Sequence, residues 1–123
     1  MNEIKLTLDL NKKPSGQHVY ISSSDKAAPT IRVYVTDNGQ ALTQSDLSPY
    51  AKRMKIRKPN GGVYSQSWKN GYADGSYSFE LKPEANGVGA GDTFGYVELS
   101  KNDQILSTAR FSITVLANAE VNQ

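Results

Sequence analysis

Hydrophobic and polar residues alternate one by one along most of this chain. Between Met1 and Leu10, Ile4, Leu6, Leu8 and Leu10 fall on one side of an extended backbone, with Lys5, Thr7 and Asp9 on the other. A period of two over that length predicts a strand with one buried face. Pro14 and Gly16 end it, because proline cannot donate to a ladder and an interior glycine weakens one. His18–Ile21 is a second, shorter candidate, closed by Ser22–Asp25. Ile31, Val33 and Val35 alternate with Arg32, Tyr34 and Thr36 in a third. The turn Asp37-Asn38-Gly39 follows, and Asn-Gly accepts the positive φ of a tight hairpin. Met54 and Ile56 alternate with Arg53, Lys55 and Arg57, and Pro59-Asn60-Gly61-Gly62 turns that strand back into Val63–Trp68. Asn70–Gly75 reads as a further turn, Tyr77, Phe79 and Leu81 as one face of the next strand, and Lys82–Gly91 as a loop. Two longer strands, Asp92–Lys101 and Gln104–Leu116, are joined around Asn102-Asp103, with Ala109, Phe111, Ile113 and Val115 inward on the last.

Only Ala41–Tyr50 departs from this pattern. Thr43-Gln44-Ser45-Asp46 offers side chains that cap a helix, and Pro49 forbids a long one. The expected architecture is therefore all-β, an Ig-like antiparallel β-sandwich of about seven to eight strands. Residues 1–116 form a single domain, and 117–123, rich in Ala, Asn, Glu and Gln, read as a tail or the start of a linker.

Composition narrows the function. A length of 123 residues suits one domain. With no cysteine there is no disulfide, thiolate metal site, iron–sulfur cluster or cysteine nucleophile. The apolar runs fall far short of the ~20 residues that a membrane helix needs. Glu3, Lys5 and Asp9 interrupt any secretory leader, so no signal peptide is expected. A net charge of +2 is a weak field for nucleic acid. Neither nucleic acid nor a membrane is expected as a partner.

Candidate chemistry is sparse. His18 is the only histidine, which excludes a histidine-rich metal site, and no serine sits in a nucleophile-elbow motif. Glu80 and Glu98 fall on strands, and Asp74, Asp92 and Asp103 in turns, where aspartate ordinarily bonds nearby backbone amides. Gly87-Val88-Gly89-Ala90-Gly91-Asp92 looks like a phosphate loop but lacks the helix such a loop must open. No catalytic residue, metal or cofactor is expected. Binding is the better prospect. Arg53, Lys55 and Arg57 make a positive stripe on one strand face, flanked by Lys52 and Lys58. It would suit phosphates, an anionic cell-wall polymer or an acidic protein, and equally a solvated outer face that discourages edge pairing. Tyr64 and Trp68, with Tyr72 and Tyr77 nearby, suit an aromatic platform for sugars or a partner protein, although core packing accounts for most of them equally well.

Taken in order, several stretches resemble the N-terminal domains of phage baseplate upper proteins. Pro29–Thr43 is similar to that family's opening strand, small turn and short apolar-plus-threonine stretch. Met54–Gly61 resembles the next strand with its Pro-Asn-Gly turn, Gly75–Leu81 the strand beyond, and Gly91–Leu99 and Thr108–Val115 the two closing strands. The resemblance as a whole spans about residues 3–116. The resemblance implies a β-sandwich module of a tailed phage or prophage of Gram-positive bacteria, fastening host-adhesion machinery to the baseplate core. It implies a place in the virion after synthesis in the bacterial cytoplasm, baseplate or tail proteins as partners, and self-association within the assembly. It brings no catalytic residues and no cofactor. The alternative is a carbohydrate-binding module that touches cell-wall glycans through Tyr64, Trp68 and Tyr72.

Overall fold

The computed structural model describes residues 3–11, 16–22, 30–58, 61–80 and 91–116. Leu81, residues 82–90 and the tail 117–123, for which expectations are given above, lie outside the described residues, as do Pro14 and Pro59-Asn60. Along the chain the elements are β1 (Glu3–Asp9), β2 (His18–Ser22), β3 (Thr30–Asp37), β4 (Gln40–Ala41), α1 (Gln44–Leu47), β5 (Ala51–Arg57), β6 (Val63–Ser67), β7 (Asn70–Gly71), β8 (Tyr77–Glu80), β9 (Gly91–Lys101), β10 (Gln104–Ser107) and β11 (Phe111–Leu116). There are more strands than the alternation suggests for two reasons. The two-residue elements β4 and β7 are too short to show a period, and the last long strand is split.

The strands form two sheets. One is ordered β1-β3-β8-β7, with β4 on the end of β3; the other is ordered β2-β11-β9-β5-β6, with β10 on β9. Most neighbours are antiparallel, as the hairpin turns require, but β1 pairs with β3 and β2 with β11 in parallel. The chain leaves the first sheet after β1, forms β2 in the second and returns for β3. That crossover brings β1 and β3 side by side in the same direction.

Alternation decides what lies between the sheets. Leu6, Leu8, Ile31, Val33, Val35, Tyr77 and Phe79 from the first meet Val19, Ile21, Met54, Ile56, Val97, Leu99, Phe111 and Ile113 from the second. Removing each such side chain from water contributes roughly 1.5–3 kcal/mol. Leu47 of α1 is also buried in this cluster.

The expected strand Gln104–Leu116 is interrupted where its parity must change. Ser107 pairs with Glu98 and Phe111 with Gly95, so Thr108-Ala109-Arg110 face only Tyr96-Val97. One extra residue in one strand is a β-bulge, and it shifts the inward positions from even to odd numbers. Leu106 therefore pairs with the inward Leu99, although it stays exposed at the sheet edge, whereas Ala109, Phe111 and Ile113 are buried beyond the bulge. The bulge also joins the sheets. Thr108 Oγ1 accepts from the Val97 amide (3.0 Å), and the Ala109 amide donates to the Asp9 carbonyl (2.8 Å).

Two of the turns with positive φ anchor neighbouring elements. Asn38 (53°) and Gly39 (87°) lie between β3 and β4, the conformation that favours Asn-Gly in two-residue hairpins. Asp9 clamps this turn from β1: its carboxylate accepts from Thr36 Oγ1 (2.7 Å) and from the amides of Gly39 (2.8 Å), Asn38 (3.2 Å) and Asn11 (2.7 Å). The Thr36 hydroxyl foremost, with these amides, holds the Asp9 pKa down at about 2. In the hairpin between β7 and β8, Gly75 (φ 89°) packs so tightly that a Cβ there would lie 2.5 Å from the Leu42 carbonyl. The next residue, Thr43, caps α1 reciprocally with Asp46: the Asp46 amide donates to Thr43 Oγ1 (3.1 Å) and the Thr43 amide to Asp46 Oδ2 (2.9 Å).

Candidate binding surfaces

The basic stripe lies on the outer face of the second sheet, where period two puts it. Arg53, Lys55 and Arg57 pair across to Ser67, Ser65 and Val63 of β6, and Arg53 and Lys55 to Glu98 and Tyr96 of β9. The three side chains are not equivalent. Arg53 donates from Nε to Ser65 Oγ and from Nη1 to Ser67 Oγ, both at 2.9 Å, so its guanidinium is held flat along the sheet. Lys55 is 3.8 Å from Glu98, which offsets its charge. Arg57 has no carboxylate partner among the described residues. Phe94, under the Arg110 guanidinium at 4.2 Å, and the exposed Val63 and Tyr20 add apolar surface to the same sheet. The stripe is thus part of a mixed basic and aromatic face.

His18 belongs to the second sheet as well. Its ring stacks on Tyr20 at 4.2 Å, and its Nε2 is 2.6 Å from Thr114 Oγ1, which donates to Asp92 Oδ1 at 2.7 Å. The Thr114 hydroxyl is thus held between the His18 imidazole and the Asp92 carboxylate on the exposed face of the sheet.

The three aromatic candidates occupy three settings. Tyr64 sits opposite the inward Ile56, packs on the core and donates its hydroxyl to Gln66 Oε1. Tyr72 lies in the β7–β8 hairpin under the Arg32 guanidinium, 3.9 Å from its ring centroid. Arg32 also donates to Ser76 Oγ and Asp74 Oδ2, each at 2.8 Å, and is 3.9 Å from Glu3. Asp74 has its pKa lowered to about 2, first by the Ser76 hydroxyl and then by the Ser76 amide, with Arg32 adding to the effect. This cluster is structural: it ties the hairpin to the outer face of the first sheet.

Trp68 stands apart from both. It lines a cleft of about 470 Å³ together with Gln44, Ser45, Ser48, Lys52, Gly71 and Tyr77. Its ring meets Tyr77 edge-on, with centroids 5.2 Å apart and an interplanar angle of 84°. Lys52, a flank of the stripe in sequence, points to the opposite side and is buried. Its ammonium donates to the carbonyls of Leu47 (3.0 Å) and Tyr50 (2.7 Å) and lies 4.3 Å from the Tyr77 ring centroid and 5.3 Å from that of Trp68. Burial pushes its pKa down. The signal was present in the alternation: Lys52 shares the parity of Met54 and Ile56. For the Arg32 cluster no sequence pattern gives notice, since its members come from β1, β3 and the β7–β8 hairpin.

Among the described residues no three or more His, Asp or Glu side chains gather as metal ligands, and no helix is long and apolar enough to cross a membrane. What the fold defines is a two-layer β-sandwich with mixed sheets. No family model matches the chain, and no curated protein matches it in sequence. Among solved structures it is similar to the N-terminal domain of phage TP901-1 ORF48, the baseplate protein BppU, with a TM-score of 0.74 and 17% sequence identity. The match covers 94% of this chain and 99% of that one. The fold expected from the baseplate-upper-protein resemblance is therefore the fold observed.

Proposed function

We propose that this chain is a non-catalytic structural module of a phage or prophage baseplate, attaching receptor-binding machinery to the tail core. The observation that carries this reading is the end-to-end likeness to a baseplate protein's N-terminal domain, 94% of one chain against 99% of the other. Two features of the surface support it. The outer face of the second sheet combines the Arg53, Lys55 and Arg57 stripe with Phe94, Val63 and Tyr20, and arginine and aromatic side chains are the residues enriched in protein interfaces. Ile105, 67% exposed on β10, adds an apolar side chain to a strand whose outer edge carries no neighbour among the described residues. The carboxylates with lowered pKa are all engaged locally, Asp9 and Asp74 in turns and Asp46 in the cap of α1. The partners on this reading are baseplate or tail proteins, and the location is the virion.

The test is reconstitution. Coexpressed with the baseplate and tail proteins encoded beside it, the chain should elute in a complex of fixed stoichiometry by gel filtration with multi-angle scattering. Arg53→Glu with Arg57→Glu should weaken that complex. Elution of the chain at its own 13.4 kDa with every such protein would contradict the proposal.

A further inference from the structure

The attachment reading makes no use of the cleft beside α1, yet the chemistry of that cleft is selective. A volume of about 470 Å³ falls within the roughly 300–1,000 Å³ of small-ligand sites. One side is aromatic, formed by Trp68, 41% exposed, with Tyr77 behind it. The other is polar, formed by Gln44 and Ser45 of α1 and Ser48 at its C-cap. Among the described residues, the side chains of Gln44, Ser45 and Ser48 and the indole N–H of Trp68 have no hydrogen-bond partner. An amide and two hydroxyls present donors and acceptors together. Among the described residues no carboxylate lines the cleft and the buried Lys52 ammonium is its only charge, so a cationic ligand is disfavoured.

We infer that this cleft binds a hexopyranose unit of a saccharide, laid against Trp68 and hydrogen-bonded by Gln44, Ser45 and Ser48. A pyranose matches both sides. Its C–H face is apolar and suits the indole ring, while its hydroxyls donate and accept and suit the amide and serines. A proline-rich segment, the usual peptide ligand of an aromatic groove, brings mainly acceptors and leaves Gln44 Oε1 unmet. The site differs from the three-tyrosine-and-tryptophan platform suggested by sequence: it keeps Trp68 and Tyr77 and replaces Tyr64 and Tyr72 with α1. It is also independent of baseplate attachment, so either can fail alone.

Trp68 is the only tryptophan in the chain, so its fluorescence reports on this cleft directly. The intact chain is titrated with chitotriose, cellotriose, maltotriose and lactose, each to about 20 mM, a range that captures the millimolar affinities of weak sites. At least one should shift the emission saturably. Gln44→Ala and Ser48→Ala, which truncate side chains without a structural partner, should each weaken that binding about 3- to 10-fold with unchanged circular dichroism. No saturable response to any of the four saccharides overturns the inference. So does a response that survives both substitutions unchanged, or saturation by a proline-rich decapeptide where the saccharides give none.

Discussion

Gly75 and Gly39 allow a steric effect to be separated from a backbone one. Their φ angles, 89° and 87°, are the same within two degrees, so alanine at either position suffers the same left-handed strain, about 1–2 kcal/mol. Alanine also lowers the entropy of the unfolded chain at both, which returns roughly 0.4–1 kcal/mol. They differ in surroundings. Around Gly39 a Cβ meets nothing within 4 Å, whereas at Gly75 it lies 2.5 Å from the Leu42 carbonyl and 3.3 Å from the Gln44 amide nitrogen. Those atoms are backbone, held by the Leu42 amide's bond to Val35 (3.0 Å) and by the capping box of α1, so they cannot rotate aside. Overpacking of this kind costs about 1–3 kcal/mol. Gly39→Ala should therefore lose about 1 kcal/mol and Gly75→Ala about 2–4 kcal/mol. Urea unfolding followed by Trp68 fluorescence measures both. In Gly75→Ala the native emission should also change, because the clash displaces α1 beside the tryptophan. Equal midpoints for the two variants would refute the close approach on which α1 is seated.

Three further outcomes follow from the same contacts. The pKa values of Asp9 and Asp74 are both lowered, from 3.8 to about 2, so the folded state holds fewer protons than the unfolded one. Their stabilisation is complete above pH ~4 and is lost as pH falls from about 4 towards 2; Asp9→Asn should flatten that acid limb in thermal melts, and an unchanged limb would count against the clamp. Lys52→Met removes the donor to the Leu47 and Tyr50 carbonyls and should lower stability by about 1–3 kcal/mol, read as a lower urea midpoint; an unchanged midpoint would show that those carbonyls need no partner. Gln17 seals the edge of β1 by donating from Nε2 to the Thr7 carbonyl (2.7 Å) and accepting from the Thr7 amide (2.9 Å). Gln17→Ala should leave that edge open to strand addition and raise self-association in light scattering; a variant as monodisperse as the parent would argue otherwise.

Much of this fold is legible because strands with one buried face must alternate. The inward sets Leu6–Leu8, Ile31–Val33–Val35, Met54–Ile56 and Phe111–Ile113 all follow from parity, and Asn38-Gly39 and Thr43–Asp46 identify a turn and a cap by local chemistry alone. Long-range features are not encoded locally. Nothing near Glu3 or Thr30 tells that β1 and β3 run parallel, because that depends on β2 crossing to the other sheet. The bulge at Thr108–Arg110 is hidden because Thr, Ala and Arg are unremarkable in a strand, and only the partner β9 exposes the extra residue. Lys52 illustrates a different failure. Its parity points inward, but lysine is rarely buried unless paired, and the carbonyls of Leu47 and Tyr50 that satisfy it become available only once α1 has ended. The basic stripe was legible as a face. The aromatic platform was not, since Tyr64, Trp68 and Tyr72 lie close in sequence but turn towards the core, the cleft and Arg32.

The role proposed for this sandwich is most directly tested by quantitative mass spectrometry of purified tailed particles from a lysogen or infected host carrying this chain. Attachment requires the chain in intact particles at a constant ratio to the other baseplate proteins, retained through density-gradient purification and salt washing. Particles that are complete and infectious yet free of the chain would contradict it.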